Sequence, residues 1–245
     1  MNSIYGELLD ESYIFNKEDI YYNKEAFNEG AVNLCIIIGH SGSGKSTMGN
    51  AISKGTDIEH TDIDDVIDNY RFEGEDFNDK SSLYKGFFKG EGKKYRLTFD
   101  EIKEYEKYDM LITNDFVNYA KRCAKRNPDK KYVIEGVWIY FYLNPNEFKD
   151  CAVFIKGTSF LTSKIRAMKR DLTSKNKKPA KVQMSYVTKA LLNSYEHFFR
   201  TAESQLHKWV NIYRPLYKQQ KKEKLEKKKV KKKELKNQIS DKQLV

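Results

Sequence analysis

VNLCIIIGHSGSGKST, residues 32–47, is the stretch of sequence that decides the fold. It begins with a nearly continuous run of apolar and β-branched side chains, which is typical of a strand buried on both faces of a parallel sheet. The run ends at Gly39, and helical spacing follows from about Lys45 to Ser53. A buried strand, a glycine-rich loop and a helix are therefore predicted in direct succession.

The loop in this stretch fits the pattern GxxxxGK[ST] of phosphate-binding loops. Glycines let the backbone curl so that its N–H groups point at phosphate oxygens, and the positive end of the next helix faces the same anion. An ordinary Gly/Ser turn is the alternative, but the position between a strand and a helix favours nucleotide binding. Within the loop, Lys45 would reach the β- and γ-phosphates and Ser46 would ligate Mg²⁺. The predicted nucleotide-binding residues are Gly39, His40, Ser41, Gly42, Ser43, Gly44, Lys45, Ser46 and Thr47.

Strands and helices alternate through the rest of the chain. Weaker or shorter strand patterns occur at residues 57–61, 131–134 and 151–155, and helical spacing runs from Phe99 to Cys123. The alternation predicts an α/β fold, namely a P-loop NTPase three-layer fold with a parallel sheet of about five strands flanked by helices. The predicted parts are an N-terminal arm (1–30, with some helix at 18–29), a kinase-like domain (31–217, with a lid at about 157–180) and a basic C-terminal tail (218–245).

The basic charge of the chain is concentrated in that tail. Residues 218–245 contain twelve Lys and four acidic residues, and thus carry +8 of the net charge of +10. A segment this polar is predicted to be a disordered tail, or at most a frayed helix. It either keeps the chain soluble or makes weak, salt-dependent contact with nucleic acid.

The chain shows no sign of export or membrane insertion. Its N-terminal segment, MNSIYGELLDE, is acidic and lacks the apolar core of a signal peptide. No apolar run approaches the roughly 20 residues of a membrane helix. We therefore expect a cytoplasmic protein without membrane contact.

Residues 33–172 resemble the small-molecule and nucleoside P-loop kinases. Asp62-Ile63-Asp64-Asp65 looks like the DxD of shikimate, gluconate and zeta-toxin-like kinases, and residues 133–136 (VIEG) look like the strand end of uridine-kinase-like enzymes. Residues 153–155 and the basic segment after them are similar to the last strand and the lid helix of both groups. The Gly-Gly-Gly substrate loop of shikimate kinases is absent, so the resemblance implies fold and reaction type but does not name the phosphate acceptor.

The resemblance also implies roles for the acidic residues. Asp64 would orient or deprotonate the acceptor, and Asp62 would support the water shell of Mg²⁺, although the two roles could be exchanged. The alternative for this pair is a helix N-cap. Glu135, an isolated carboxylate at a strand end, is expected either to contact Mg²⁺ through water or to form a structural ion pair.

Four arginines complete the predicted site. Arg166 and Arg170 lie four residues apart and thus on one helical face, where they would neutralise charge on the phosphates or simply face solvent. Arg71 and Arg96 are weaker candidates for binding the acceptor.

The function expected from these features is transfer of the γ-phosphate of ATP, with Mg²⁺, to a hydroxyl of a small metabolite, nucleoside or nucleotide. Two alternatives remain open from the sequence. One is a polynucleotide-directed kinase or nucleic-acid-associated ATPase, for which the basic tail is the only hint. The other is a switch protein that hydrolyses ATP.

Overall fold

Five strands and seven helices make up the described part of the computed structural model, which comprises residues 18–71, 81–92, 105–157 and 194–242. The strands are β1 (Ile20–Tyr22), β2 (Leu34–Ile38), β3 (Glu59–Asp62), β4 (Tyr132–Glu135) and β5 (Ala152–Ile155). The helices are α1 (Lys24–Asn28), α2 (Lys45–Ser53), α3 (Ile63–Arg71), α4 (Ser82–Lys89), α5 (Tyr105–Arg126), α6 (Val137–Tyr142) and α7 (Ser194–Lys242), with a 3₁₀ turn at Pro145–Phe148.

The strands form one sheet in the order β1-β5-β2-β4-β3. β2 pairs in parallel with both β4 and β5, and β3 pairs in parallel with β4. Every residue of β2, β4 and β5 is buried. The α/β class and these four strands are thus confirmed, with boundaries that differ by one or two residues from the predicted ones.

The fifth strand corrects the prediction of a parallel sheet. β1 runs antiparallel to β5, with Ile20 opposite Ile155 and Tyr22 opposite Val153, so the sheet is mixed. β1 has only three residues and belongs to the predicted N-terminal arm, where no alternating pattern marks a strand. An antiparallel strand at the edge of an otherwise parallel sheet is common, and it covers the hydrogen-bonding edge that β5 would otherwise expose.

Helices cover both faces of the sheet. Leu34, Ile36 and Ile38 belong to the larger apolar cluster, which also contains buried side chains of α3, α4, α5, α6 and α7. Cys35 and Ile37 point to the other face, into a cluster that includes side chains of α1 and α2. Because described helices cover both faces, we expect a site at the ends of the strands, where open α/β sheets bind ligands.

The C-terminal helix, α7, joins the body of the protein to the basic tail. Trp209 and Tyr213 are fully buried, and the Tyr213 hydroxyl donates a hydrogen bond to the Pro145 carbonyl over 2.6 Å. The helix then continues to Lys242, so residues 218–242 are helical, whereas their composition predicts a disordered tail or at most a frayed helix. The packed first half of α7 is already helical, so residues 218–242 extend an existing helix and avoid the free-energy cost of starting a new one. None of the described helices, α7 included, combines the length and apolar character needed to cross a membrane.

Candidate functional site

The glycine-rich loop connects the carboxyl end of β2 to the start of α2. Gly42 and Gly44 have φ values of 82° and 92°, a left-handed conformation that favours glycine. The Ser43 N–H donates to the His40 carbonyl over 3.0 Å, which closes the turn. The loop therefore has the tight curl that the sequence pattern predicts, directly before the N-terminal end of a helix.

Close packing at Gly39 fixes where the loop begins. A Cβ atom at this position would lie 2.8 Å from the Ser43 hydroxyl and 3.1 Å from the Lys156 carbonyl. The Lys156 N–H donates to the Ile38 carbonyl over 2.8 Å, so the segment after β5 lies against the start of the loop. Any larger residue at Gly39 would push the two segments apart.

Lys45, the first residue of α2, lies against the inside of this loop. Only 8% of its surface is exposed, and its ammonium group donates to the His40 carbonyl over 3.1 Å. The ammonium group of Lys45 thus lies beside the start of the glycine-rich loop. The His40 ring meets the Tyr140 ring edge-on, so this residue contributes backbone rather than its imidazole to the loop.

The carboxylates predicted to serve catalysis and metal binding meet at the same end of the sheet. Asp62 and Glu135 are the last residues of the adjacent parallel strands β3 and β4, and they are register partners. Together with Ser46 they line a cavity of about 300 Å³. The structure therefore brings together all three residues that the sequence predicts for the metal.

Asp62 has an unusual protonation equilibrium. Burial, the nearby charge of Asp64 and that of Glu135 raise the pKa of Asp62 from 3.8 to about 8, against a smaller opposing effect of its hydrogen bond with the Asp64 N–H. A carboxyl group with a pKa near physiological pH can both release and accept a proton, as a general base must. Such shifts are common at functional sites.

Asp62 and Asp64 are close in sequence, but only Asp62 lies in the cavity. Asp62 Oδ1 accepts a hydrogen bond from the Asp64 N–H over 2.9 Å, so the capping role that was the alternative to catalysis is present. The Asp62 side chain also lines the cavity, together with Asp65, whereas Asp64 is exposed and is not among the lining residues. Capping and a place in the site are thus compatible for Asp62.

Glu135 is fully buried and only partly satisfied. Its Oε1 lies 3.2 Å from His60 Nε2, while its Oε2 has no hydrogen-bond partner among the described residues. An unsatisfied buried carboxylate oxygen is costly, which makes this atom a candidate metal or water ligand. The contact with His60 is a structural pair of the kind that the sequence left open for Glu135, and contact with Mg²⁺ stays a prediction.

His60 is a site residue that no pattern in the sequence indicates. Its Nδ1 lies 3.1 Å from Asn50 Oδ1 on α2, and its Nε2 contacts Glu135. These partners are ten and 75 residues away along the chain, so only the folded sheet brings them together. The ring fixes the orientation of the Glu135 carboxylate against α2. Other lining residues that were not predicted are Asn50, Thr61, Asp65, Ser81 and Tyr84.

The predicted arginines cannot be placed in this site from the described residues. Arg71 is the last residue of α3, and its side chain is not described. Arg96, Arg166 and Arg170 lie outside the described residues, as does the predicted lid beyond Gly157.

The described residues would suit a metal ion that the protein holds only in part. No group of three or more His, Cys, Asp or Glu side chains suitable for a metal occurs in the described ranges. Mg²⁺ usually keeps several waters and takes one or two carboxylates plus phosphate oxygens, so such a group is not needed. The Ser46 hydroxyl and the Glu135 oxygen without a described partner would be a donor set of this kind.

Comparisons with models of protein families, with curated proteins and with solved structures found no match to this chain.

Proposed function

We propose that this protein is an ATP-dependent phosphotransferase that transfers the γ-phosphate to a hydroxyl of a small metabolite, nucleoside or nucleotide. The observation that carries the proposal is the glycine-rich loop and Lys45 directly before Ser46, which lines one cavity together with Asp62 and Glu135. All of these groups lie at the carboxyl end of parallel strands, which is where open α/β sheets bind ligands.

The loop side of the cavity would bind the triphosphate. The loop amides and the N-terminal end of α2 offer donors to phosphate oxygens, and Lys45 would exchange the His40 carbonyl for the β- and γ-phosphates. Mg²⁺, when bound, would neutralise charge on these phosphates. Ser46 and the free oxygen of Glu135 would hold it, and His60 would keep Glu135 in position.

In the same cavity we assign Asp62 as the base, which exchanges the two roles that the resemblance implies for Asp62 and Asp64. The acceptor hydroxyl would give its proton to the Asp62 carboxylate while its oxygen attacks the γ-phosphorus. The bond from that phosphorus to the β-phosphate oxygen then breaks and releases ADP. Support for the exchange comes from the Asp62 pKa near 8 and from the exposed position of Asp64.

The lining of the cavity favours a small acceptor rich in hydroxyl groups. Its volume of about 300 Å³ is at the lower end for ligand sites. Thr61, Ser81 and Tyr84, which carry hydroxyl groups, line it alongside the acidic groups. These groups hydrogen-bond well to a sugar or nucleoside. Arg71, Arg96, Arg166 and Arg170 remain proposed contacts to the acceptor or the phosphates.

A transfer assay with terminally labelled ATP tests the proposal. The acceptors are nucleosides, nucleotides, sugars, shikimate-like acids and oligonucleotides. We expect label to move to one class of small acceptor, and Lys45→Ala and Asp62→Asn to lower the rate by about 100-fold or more. Asp64→Asn should have a smaller effect. Lys54→Ala, an exposed lysine at the end of α2, is the matched control for Lys45.

Three other results would overturn the proposal. Release of labelled phosphate at the same rate without any acceptor would indicate an ATP-hydrolysing switch. Transfer to oligonucleotides alone would indicate a polynucleotide-directed kinase. Equal rates for Lys45→Ala and the wild type would remove the assigned phosphate site.

A further inference from the structure

The exposed second half of α7 is a distinct basic surface. Every residue from Lys221 to Glu234 is exposed, and we call this segment the basic arm. It contains nine Lys and three Glu, a net charge of +6. At about 1.5 Å per residue the segment spans about 20 Å.

The basic arm has no apolar face. Its exposed large apolar side chains are Leu225 and Val230, which are five residues apart and so lie on different sides of the helix. A coiled coil needs an apolar seam, and a helix that lies on a membrane needs a wide apolar face. The arm therefore lacks the apolar contacts that either of these partners requires.

Repulsion between lysines makes the arm suited to a polyanion. Within residues 218–236, six Lys–Lys pairs have the four-residue spacing at which helical side chains are neighbours, against two Lys–Glu pairs. Like charges at this spacing destabilise a helix and oppose contact with a second copy of the same arm. A partner with closely spaced negative charges would relieve this repulsion.

The arm leaves the body at the end of the sheet opposite the glycine-rich loop. Gln220 and Asn23 exchange two hydrogen bonds of 2.7 and 3.0 Å, and Lys224 pairs with Glu25 over 2.7 Å. The Asn23 amide donates to the Cys151 carbonyl, immediately before β5 begins. The glycine-rich loop lies at the other end of β5, where Lys156 contacts Ile38.

We propose that the basic arm binds the phosphate backbone of nucleic acid, at the end of the sheet opposite the glycine-rich loop, and leaves the candidate site open to a separate acceptor. Double-stranded DNA carries one negative charge per about 1.7 Å of its axis, so about 20 Å of arm faces about 12 phosphates. The arm carries six net positive charges along that length. Binding through these charges to phosphates should be strong at low salt and independent of base sequence.

Fluorescence anisotropy with the full chain tests the proposal. The probes are a labelled oligo(dT) single strand, a random-sequence DNA duplex and an RNA single strand, each of about 20 nucleotides or base pairs so that the probe exceeds the length of the arm. The test variant replaces four arm lysines with glutamine, namely Lys228, Lys229, Lys232 and Lys233. The matched control replaces four exposed lysines of the body, namely Lys54, Lys89, Lys149 and Lys208.

We expect the wild type to bind all three probes, and log affinity to fall steeply with log salt between about 50 and about 200 mM. The arm variant should lose at least about tenfold in affinity, and the slope should become shallower by about three, since each phosphate contact contributes about 0.7–0.9 to it. The control should stay within about threefold of the wild type. Turnover with a small acceptor should be equal in all three proteins.

Several outcomes would overturn the proposal. If the arm variant and the control lost the same affinity for the probes, the effect would come from net charge and not from the arm. Tighter binding to phosphatidylserine vesicles than to any nucleic-acid probe would make the partner a membrane. Phosphorylation of the oligonucleotide itself, lost in the arm variant, would show that the arm serves the candidate site and is not separate from it.

Discussion

Replacing Asp62 with asparagine should make the protein more stable at high pH while it abolishes catalysis. Burial and the charges of Asp64 and Glu135 raise the pKa of Asp62 from 3.8 to about 8. In the unfolded chain this carboxyl loses its proton near pH 3.9, but in the folded chain it keeps the proton until about pH 8. Its contribution to stability is therefore fully present below about pH 4 and is lost as the pH rises to about 8.

The magnitude follows from the size of the shift. A rise of about 4 pH units corresponds to at most about 6 kcal/mol between the charged and neutral forms of Asp62. Asp64 is exposed, so solvent screens its repulsion of Asp62, and asparagine can still accept the hydrogen bond from the Asp64 N–H. We therefore expect Asp62→Asn to gain about 1–3 kcal/mol over the wild type at about pH 9, and close to nothing at about pH 4.5.

Urea unfolding of both proteins across this pH range, in buffer with a metal chelator, measures the difference. Asp129→Asn, an exposed aspartate in the turn after α5, serves as the matched control and should stay within about 0.5 kcal/mol of the wild type throughout. If Asp62→Asn were the less stable protein at pH 9, or if its difference from the wild type did not change with pH, the electrostatic account of this site would be wrong.

Four further predictions concern the loop, the metal, the base and α7. Gly39→Ala should cost about 1–3 kcal/mol in urea unfolding and weaken ATP binding, because its Cβ would approach the Ser43 hydroxyl and the Lys156 carbonyl; unchanged stability would contradict the packing described. Ser46→Ala should raise the Mg²⁺ concentration for half-maximal transfer by about tenfold, and an unchanged requirement would exclude Ser46 as a ligand. The kcat/KM of the wild type should rise with pH and level off above about 8, as the base loses its proton; a flat profile would argue against Asp62. Tyr213→Phe should cost about 1 kcal/mol through the lost hydrogen bond to Pro145, and a thermal melt identical to that of the wild type would show that this contact contributes nothing.

Local sequence signals were sufficient for the centre of the fold. β2, the loop and α2 follow each other along the chain, and their geometry depends on residues within one stretch, so apolar periodicity and the glycine pattern predicted them well. The joint position of Asp62 and Glu135 could also be predicted, since carboxyl ends of parallel strands lie at one edge of a sheet.

Local sequence patterns could not predict the features that depend on contacts between distant parts of the chain. The direction of β1 is set by its pairing with β5, more than a hundred residues later, and not by its own three residues. His60 gains its place from a partner on another strand. The helicity of residues 218–242 comes from the packed first half of α7, whereas the Lys-rich composition by itself predicts disorder.

The central claim is that the loop amides between β2 and α2 surround a triphosphate. Amide hydrogen exchange of residues 39–47, measured with and without ATP and Mg²⁺, tests it most directly. We expect exchange in this segment to slow by about tenfold or more when ATP is present, and Lys45→Ala to remove most of this protection. ATP that binds at saturating concentration, but leaves exchange in residues 39–47 unchanged and protects another segment, would contradict the claim.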